Sequence, residues 1–236
     1  MPVFRLTEDL VFPDPHLAGP DGLLAIGGDL SVGRLVLAYQ NGIFPWYDAR
    51  QPILWWSPDP RCVFFPAQVH VSRRLARLMR QKTYHLTFNQ AFNRVIKACA
   101  EVRVHRGEGT WLIPEMQAAY QGLFEAGYAH SVEAWQDGTL AGGLYGVALG
   151  PFFFGESMFH ERTNASKVIL VALLRYLQRQ GFVLFDCQVP NPHLFRMGAC
   201  PIDRDSFLRH LSTGGLGPLG KAEKVVFPDR LSAAER

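Results

Sequence analysis

Only four cysteines occur among the 236 residues, Cys62, Cys99, Cys187 and Cys200, and none forms a CxxC pair or stands near a histidine at metal-ligand spacing. That scarcity excludes a disulfide-stapled scaffold and the common zinc patterns, so the four read as reduced core thiols and no metal is expected. There is no run of about 18 uncharged apolar residues, so no membrane span is expected. Glu8, Asp9 and Asp14 lie where a secretory leader needs an apolar core, which makes a cytoplasmic protein the expectation. No P-loop, dinucleotide-binding glycine pattern or G-x-S-x-G motif occurs, and there is no low-complexity tract. No cofactor is implied.

Charge is nearly balanced overall, at +3, but unevenly placed. Between Pro60 and Ala100 stand Arg61, Arg73, Arg74, Arg77, Arg80, Lys82, Arg94 and Lys97 with no Asp or Glu, leaving 16 basic residues against all 21 acidic ones elsewhere. Such a concentration points to a polyanionic partner. Arg73, Arg74, Arg77, Arg80 and Lys82 share one stretch, "SRRLARLMRQK", whose Leu75, Leu78 and Met79 recur at helical spacing. Phosphate binding by this helix is the reading.

What is abundant early is proline, glycine and tryptophan: "FPDPHLAGPDGLLAIGGDL" and "GIFPWYDARQPILWWSPDPR" flank one short helix, "SVGRLVLAYQNG". This suggests a small irregular domain over residues 1–60, with a boundary at "SPDPR", where the prolines cannot continue a helix or a central strand. The second domain is then 61–236. Helices are expected in "HVSRRLARLMRQK", "NQAFNRVIKACAEV" and "PEMQAAYQGLFEAG". After them "HSVEAWQ", Asp137-Gly138, "TLAGGLYGVAL", Gly150-Pro151 and "FFFGESMF" read as a three-stranded antiparallel meander. "NASKVILVALLRYLQRQG" is a helix, "VLFDCQVPN" a strand, and "DRDSFLRHL" a last helix. A helix between meander and strand commonly crosses over and brings that strand beside an earlier one, which makes the fold class α+β.

Alternation along "VLFDCQVPN" puts Leu184, Asp186 and Gln188 on one face, and the same rule groups Phe154, Glu156 and Met158. If the two strands are neighbours, three polar side chains meet. No Ser-His or Cys-His nucleophile accompanies them.

The ordered stretches "GLLAIGGDL", "AYQNGIFPWY", "PILWWSPDPR", "GEGTWL", "GGLYGVALG", "FFGESMF", "NASK" and "DCQV" resemble the bacterial leucyl/phenylalanyl-tRNA–protein transferases, from about Asp21 to Ala199. The resemblance implies a small N-terminal domain and a larger domain of acetyltransferase-like (GNAT-like) fold. It implies transfer of leucine or phenylalanine, and less well methionine, from Leu-tRNA or Phe-tRNA to proteins with N-terminal Arg or Lys, marking them for degradation. Asp186 and Gln188 match the proposed catalytic pair and Glu156 the aminoacyl pocket. Trp46 and Trp111 match aromatic residues that hold the terminal adenosine, with Tyr120 nearby. Leu144, Met158 and Leu170 are candidate walls for the donor side chain, and Trp55, Trp56 and Trp135 are left to packing.

An aminoacyl ester is already activated, and an N-terminal amine of pKa about 7.7–8.0 is partly neutral in the cytosol, so neither ATP nor a strong base is needed. In this reading the Gln188 carbonyl accepts from the attacking amine while Asp186 orients and polarises the amide. The final proton acceptor stays open. Glu156 either meets the donor α-amino group or helps hold the basic N-terminal residue. Two rivals stand beside this: an acyl-CoA-dependent acyltransferase, for which no pyrophosphate loop is seen, and a non-catalytic tRNA-binding module. A monomer is the default.

Overall fold

The computed structural model describes residues 3–105 and 110–231. Chain order is β1 (Phe4–Leu6), β2 (Leu23–Gly27), α1 (Val32–Gln40), β3 (Phe44–Pro45), β4 (Leu54–Trp56), β5 (Arg61–Phe64), α2 (Arg73–Arg80), β6 (His85–Phe88), α3 (Phe92–His105) and α4 (Pro114–Glu125). It continues with β7 (Ala129–Gln136), β8 (Thr139–Leu149), β9 (Phe152–His160), α5 (Ala165–Arg179), β10 (Leu184–Gln188), α6 (Pro192–Phe195), β11 (Cys200–Ile202) and α7 (Arg204–Thr213). The Gly107–Gly109 part of "GEGTWL" lies outside the described residues.

Local chemistry sets the helix ends. The Ser31 and Ser72 side chains accept from the main-chain N–H groups of Arg34 and Leu75, capping α1 and α2. Asp137 and Gly138 both adopt positive φ, at 51° and 74°, the conformation that turns a two-residue hairpin between β7 and β8.

Two sheets result. Strands β1-β2-β4-β3 form the first, with β1 and β2 parallel. The first sixty residues are therefore more regular than their proline and glycine content suggests, because strands of two to five residues carry too little alternation to be read. The second sheet runs β11-β5-β10-β9-β8-β7-β6. Its β7-β8-β9 portion is the expected meander, and α5 carries the chain from β9 to β10, which pair in parallel. Strand β5 begins directly after Pro60 and lies between β10 and β11, a central position the sequence did not disclose.

The apolar contacts divide by face. On one side Leu24, Trp55 and Leu35 of the first sixty residues pack with Val95, Met116, Tyr145 and Phe154, so the first sheet, α1, α3 and α4 share one core with the larger sheet. On the other, Leu75 and Met79 of α2 join the apolar face of α5 and Phe64, Phe153 and Phe185. No helix among the described residues is long and apolar enough to cross a membrane.

Candidate active site at the fork between two strands

Strands β9 and β10 pair only as far as Phe154 and Asp186. Beyond that point each is irregular. On β9, Gly155 faces Gly146 while Ser157 faces Tyr145, so Glu156 is an extra residue in the ladder. On β10, Asp186 faces Val63 and Gln188 faces Cys62, leaving Cys187 as the extra residue. Glycine is required at this fork: a Cβ on Gly155 would lie 2.5 Å from the Phe185 ring. The bulge on β9 also corrects the alternation expected there, since Glu156 joins the Phe154 side of the sheet whereas Met158 packs on the opposite core.

A cleft of about 450 Å³ opens at the fork. Of the residues singled out in the sequence, Glu156 and Gln188 line it, as do Trp46 and Trp111. Leu144, Met158 and Leu170 supply apolar wall, so all seven stand around one space. Trp46 is 44% exposed and Trp111 only 9%; the second ring is wedged edge-on against Tyr120, with centroids 6.2 Å apart, rather than displayed on an open loop. Arg73, Arg74, Arg77, Arg80 and Lys82 are exposed on or just beyond α2 and do not line the cleft; none pairs with a carboxylate among the described residues.

Asp186 and Tyr120 do not line the cleft either. Asp186 is buried and held by Arg61 through Nε–Oδ1 at 2.9 Å and Nη2–Oδ2 at 2.7 Å. Its Oδ1 also accepts the main-chain N–H of Gln188 at 2.7 Å, which holds Gln188 at φ +64°. Asp186 therefore fixes the backbone of Gln188 and does not touch its amide. The amide is held by Glu156 instead, Nε2 donating to Oε1 at 2.8 Å. An ionised carboxylate only accepts, so it draws the amide nitrogen and leaves the amide oxygen as the free acceptor. Arg61 itself, counted from the sequence among the basic residues of an anion-binding stretch, is fully buried and neutralised here.

Two tyrosine hydroxyls complete the floor. Tyr39 donates to Glu156 Oε1 at 2.7 Å and Tyr120 to Oε2 at 2.6 Å, while the two hydroxyls lie 2.7 Å apart. Desolvation, then the nearby carboxylate, pushes both phenols well above their usual range. Three close oxygen contacts share two phenolic protons when Glu156 is ionised, and each contact gains its own proton when Glu156 is protonated. Burial raises the Glu156 carboxyl to about 7, in spite of the hydrogen bonds from Tyr120, Tyr39 and Gln188.

Tyr39 and Arg61 are the site residues that sequence reasoning passed over. A signal existed for Arg61: it opens the apolar run "RCVFF", where a charge must find a buried partner. Tyr39 lay within "AYQNG", at the end of α1, and only the docking of α1 on the larger sheet brings it to Glu156.

Fold and site together define a mixed α/β protein whose cleft combines apolar walls, two tryptophan rings and a carboxyl raised to about 7. Residues 63–212 match the family model described as leucyl/phenylalanyl-tRNA protein transferase, and residues 28–59 match the model of that family's N-terminal domain. The chain belongs to this family. A leucyl/phenylalanyl-tRNA–protein transferase of Desulforapulum autotrophicum is 58% identical over 89% of this chain and 92% of its own length. The relative of the same name from Syntrophotalea carbinolica is 51% identical over 98% of this chain and 100% of its own length. Among solved structures, an aminoglycoside acetyltransferase from an uncultured soil metagenomic sample aligns with TM-score 0.38 at 15% identity, over 64% of this chain and 99% of that one.

Proposed function

We propose that the chain is an aminoacyltransferase that moves a leucyl or phenylalanyl group from tRNA to the N-terminus of an acceptor protein, with the cleft at the fork as its reaction chamber. The bond formed is a peptide bond and the bond broken is the ester to the tRNA ribose. The observation that carries the residue assignment is the cleft-lining Gln188 side chain, whose amide nitrogen is held by Glu156 while its amide oxygen has no hydrogen bond among the described residues.

The donor side chain occupies the apolar wall of Leu144, Met158 and Leu170, and Trp46 and Trp111 hold the adenine. An apolar pocket discriminates by only about 1–3 kcal/mol per methylene, which suits a donor set of similar unbranched-at-Cβ side chains, methionine included but less favoured. The incoming amine donates a hydrogen bond to the Gln188 amide oxygen and attacks the ester carbonyl. Glu156, a cleft-lining carboxyl raised to about 7, takes the proton that the amine sheds and returns it to the departing ribose oxygen. The cycle then leaves no net proton on the enzyme. Tyr39 and Tyr120 position Glu156, and Asp186 positions the Gln188 backbone.

The exposed α2 cations bind the phosphates of the tRNA body. The acceptors are proteins beginning with Arg or Lys, which the transfer marks for degradation, and the enzyme acts as a cytoplasmic monomer of two domains, 1–60 and 61–236. The deciding experiment is transfer of radiolabelled phenylalanine from Phe-tRNA to a model protein beginning with arginine, compared with one beginning with alanine. Label in the arginine protein alone, and much slower labelling by Gln188→Ala, is the expected result. No label from a folded enzyme overturns the reading.

A further inference from the structure

Part of the cleft wall carries histidine and serine side chains that the transfer chemistry above does not use. His160, the last residue of β9, and His193, in α6, both line the cleft there, as does Ser166 in the first turn of α5. Lys167 follows Ser166 and Arg196 is the C-cap of α6; neither lines the cleft itself, but the charge of both reaches the His193 ring. Ser166 is buried, and its hydroxyl lies 3.4 Å from the His160 ring. Burial holds the His193 ring below its usual pKa, and the positive field of Lys167, Arg196 and His160 lowers it further, and none of these four groups forms an ion pair with a carboxylate among the described residues. Residues 188–196 contain no carboxylate, and the one carboxylate between His160 and Lys167, Glu161, lines a separate cavity with Arg94, Lys97 and Glu101. A cluster of like charge beside a cleft is electrostatically strained until an anion fills it.

The cluster also adjoins the basic helix. The Tyr84 hydroxyl, just past α2, donates to the Thr163 carbonyl at 2.9 Å, and the His70 N–H, just before α2, donates to the carbonyl of Met197 beside Arg196 at 2.8 Å. Both ends of α2 are thus tied to the two segments that carry the cationic rim.

We infer that His160, Ser166, Lys167, His193 and Arg196 form a phosphate subsite that grips the phosphodiester linking the terminal adenosine to the nucleotide before it. The inference rests on the reading of the cleft as the aminoacyl-adenosine site and adds a separate anchor to it. The α2 helix then holds the body of the nucleic acid, and this subsite holds its last phosphate and sets how far the aminoacyl end enters.

The test uses two stable ligands, the phenylalanyl amide of 3′-amino-3′-deoxyadenosine and the same compound extended at its 5′ side by one cytidine phosphodiester. Binding of each is measured to the full-length protein and to the Lys167→Ala/Arg196→Ala variant. The phosphodiester is expected to tighten binding by about tenfold in the unaltered protein, as for a charge-assisted hydrogen bond. The variant should lose that gain and bind the nucleoside within about twofold of the unaltered protein, since neither altered side chain is assigned to the nucleoside. A Lys167→Arg/Arg196→Lys variant, which keeps both charges, should retain most of the gain. Equal affinity of the two ligands for the unaltered protein, or a variant that still distinguishes them, overturns the subsite and leaves the cleft reading standing. Failure of both ligands to bind overturns the cleft reading and the subsite together.

Discussion

Arg61 and Asp186 meet face to face in a buried bidentate pair, 125 positions apart in sequence and one strand apart in the sheet. Removing one partner of such a pair leaves the other charge buried and uncompensated, at about 3–5 kcal/mol. Asp186→Asn and Arg61→Met are each expected to lower the melting temperature by roughly 6–20 °C in a chain of this size. The activity of Asp186→Asn should fall in step with the loss of folded protein, and the Arg61→Met/Asp186→Leu double variant should recover part of the melting temperature. Calorimetry beside single-turnover rates separates this positioning role from a direct chemical one.

Gln188 gives the opposite pattern. Its φ of +64° suits glycine better than a residue with a side chain. Gln188→Gly is expected to match or exceed the unaltered protein's stability, by up to about 1 kcal/mol, while kcat for transfer collapses. Denaturant titration and transfer assays on the same preparation check it; a variant with full kcat would remove Gln188 from the chemistry.

Glu156 carries a pH signature. Its folded pKa of about 7 lies above the ordinary carboxyl value of 4.5, so the folded state holds a proton that the unfolded chain has released. The resulting stabilisation is complete below pH 4.5 and is lost as pH rises through 7. Glu156→Gln, neutral at every pH, should flatten this dependence, worth on the order of 1–3 kcal/mol, as read by denaturant midpoints at pH 5 and pH 8. The unaltered enzyme's kcat should fall as pH drops below about 7, where the base form disappears, and that limb should be missing from the residual rate of the variant.

The two tryptophans of the cleft are expected to separate. Trp46→Ala, at an exposed ring, should weaken binding of the aminoacyl-adenosine ligand by about 1–3 kcal/mol without moving the melting temperature. Trp111→Ala removes a buried ring and should also destabilise the fold, by roughly 3–5 kcal/mol.

If Arg73, Arg74, Arg77, Arg80 and Lys82 each contact one phosphate, at about 0.7 each, tRNA binding is expected to show a log–log salt slope of roughly −3 to −4. Arg73→Ala/Arg77→Ala/Arg80→Ala should make the slope shallower by about 2. A slope unchanged in the triple variant would place the nucleic-acid contacts elsewhere.

The longer helices, the meander and the crossover were legible in the sequence because each is long enough to show its period and is closed by a cap or a glycine turn, whereas the four-residue α6 was not. The first sheet was not, since β1 finds its partner β2 about twenty residues away and neither has room to alternate. At the site the residue types were legible and their relations were not. Strict alternation set Asp186 against the Gln188 amide, whereas a single extra residue at Cys187 changes which groups meet. A bulge has no composition of its own, and the buried Arg61 that gives Asp186 its task stands beyond two prolines, in a stretch that reads as a linker. The cysteines were read as core thiols, and Cys62 and Cys99 are buried, but Cys187 reaches the cleft surface.

Arg61 makes one further bond: Nη1 donates to the Gly42 carbonyl at 3.1 Å, while the guanidinium lies between the rings of Phe44 and Phe207. Gly42 leads into the short strand that carries Phe44, Pro45 and then Trp46, one jaw of the cleft, and Asp186 leads into Gln188, the other. A single side chain therefore spans both jaws and locks their separation, as the frame of a caliper does. If the cleft is the donor site proposed above, that gauge is set by the fold itself, before any tRNA arrives, and a donor is sorted against it.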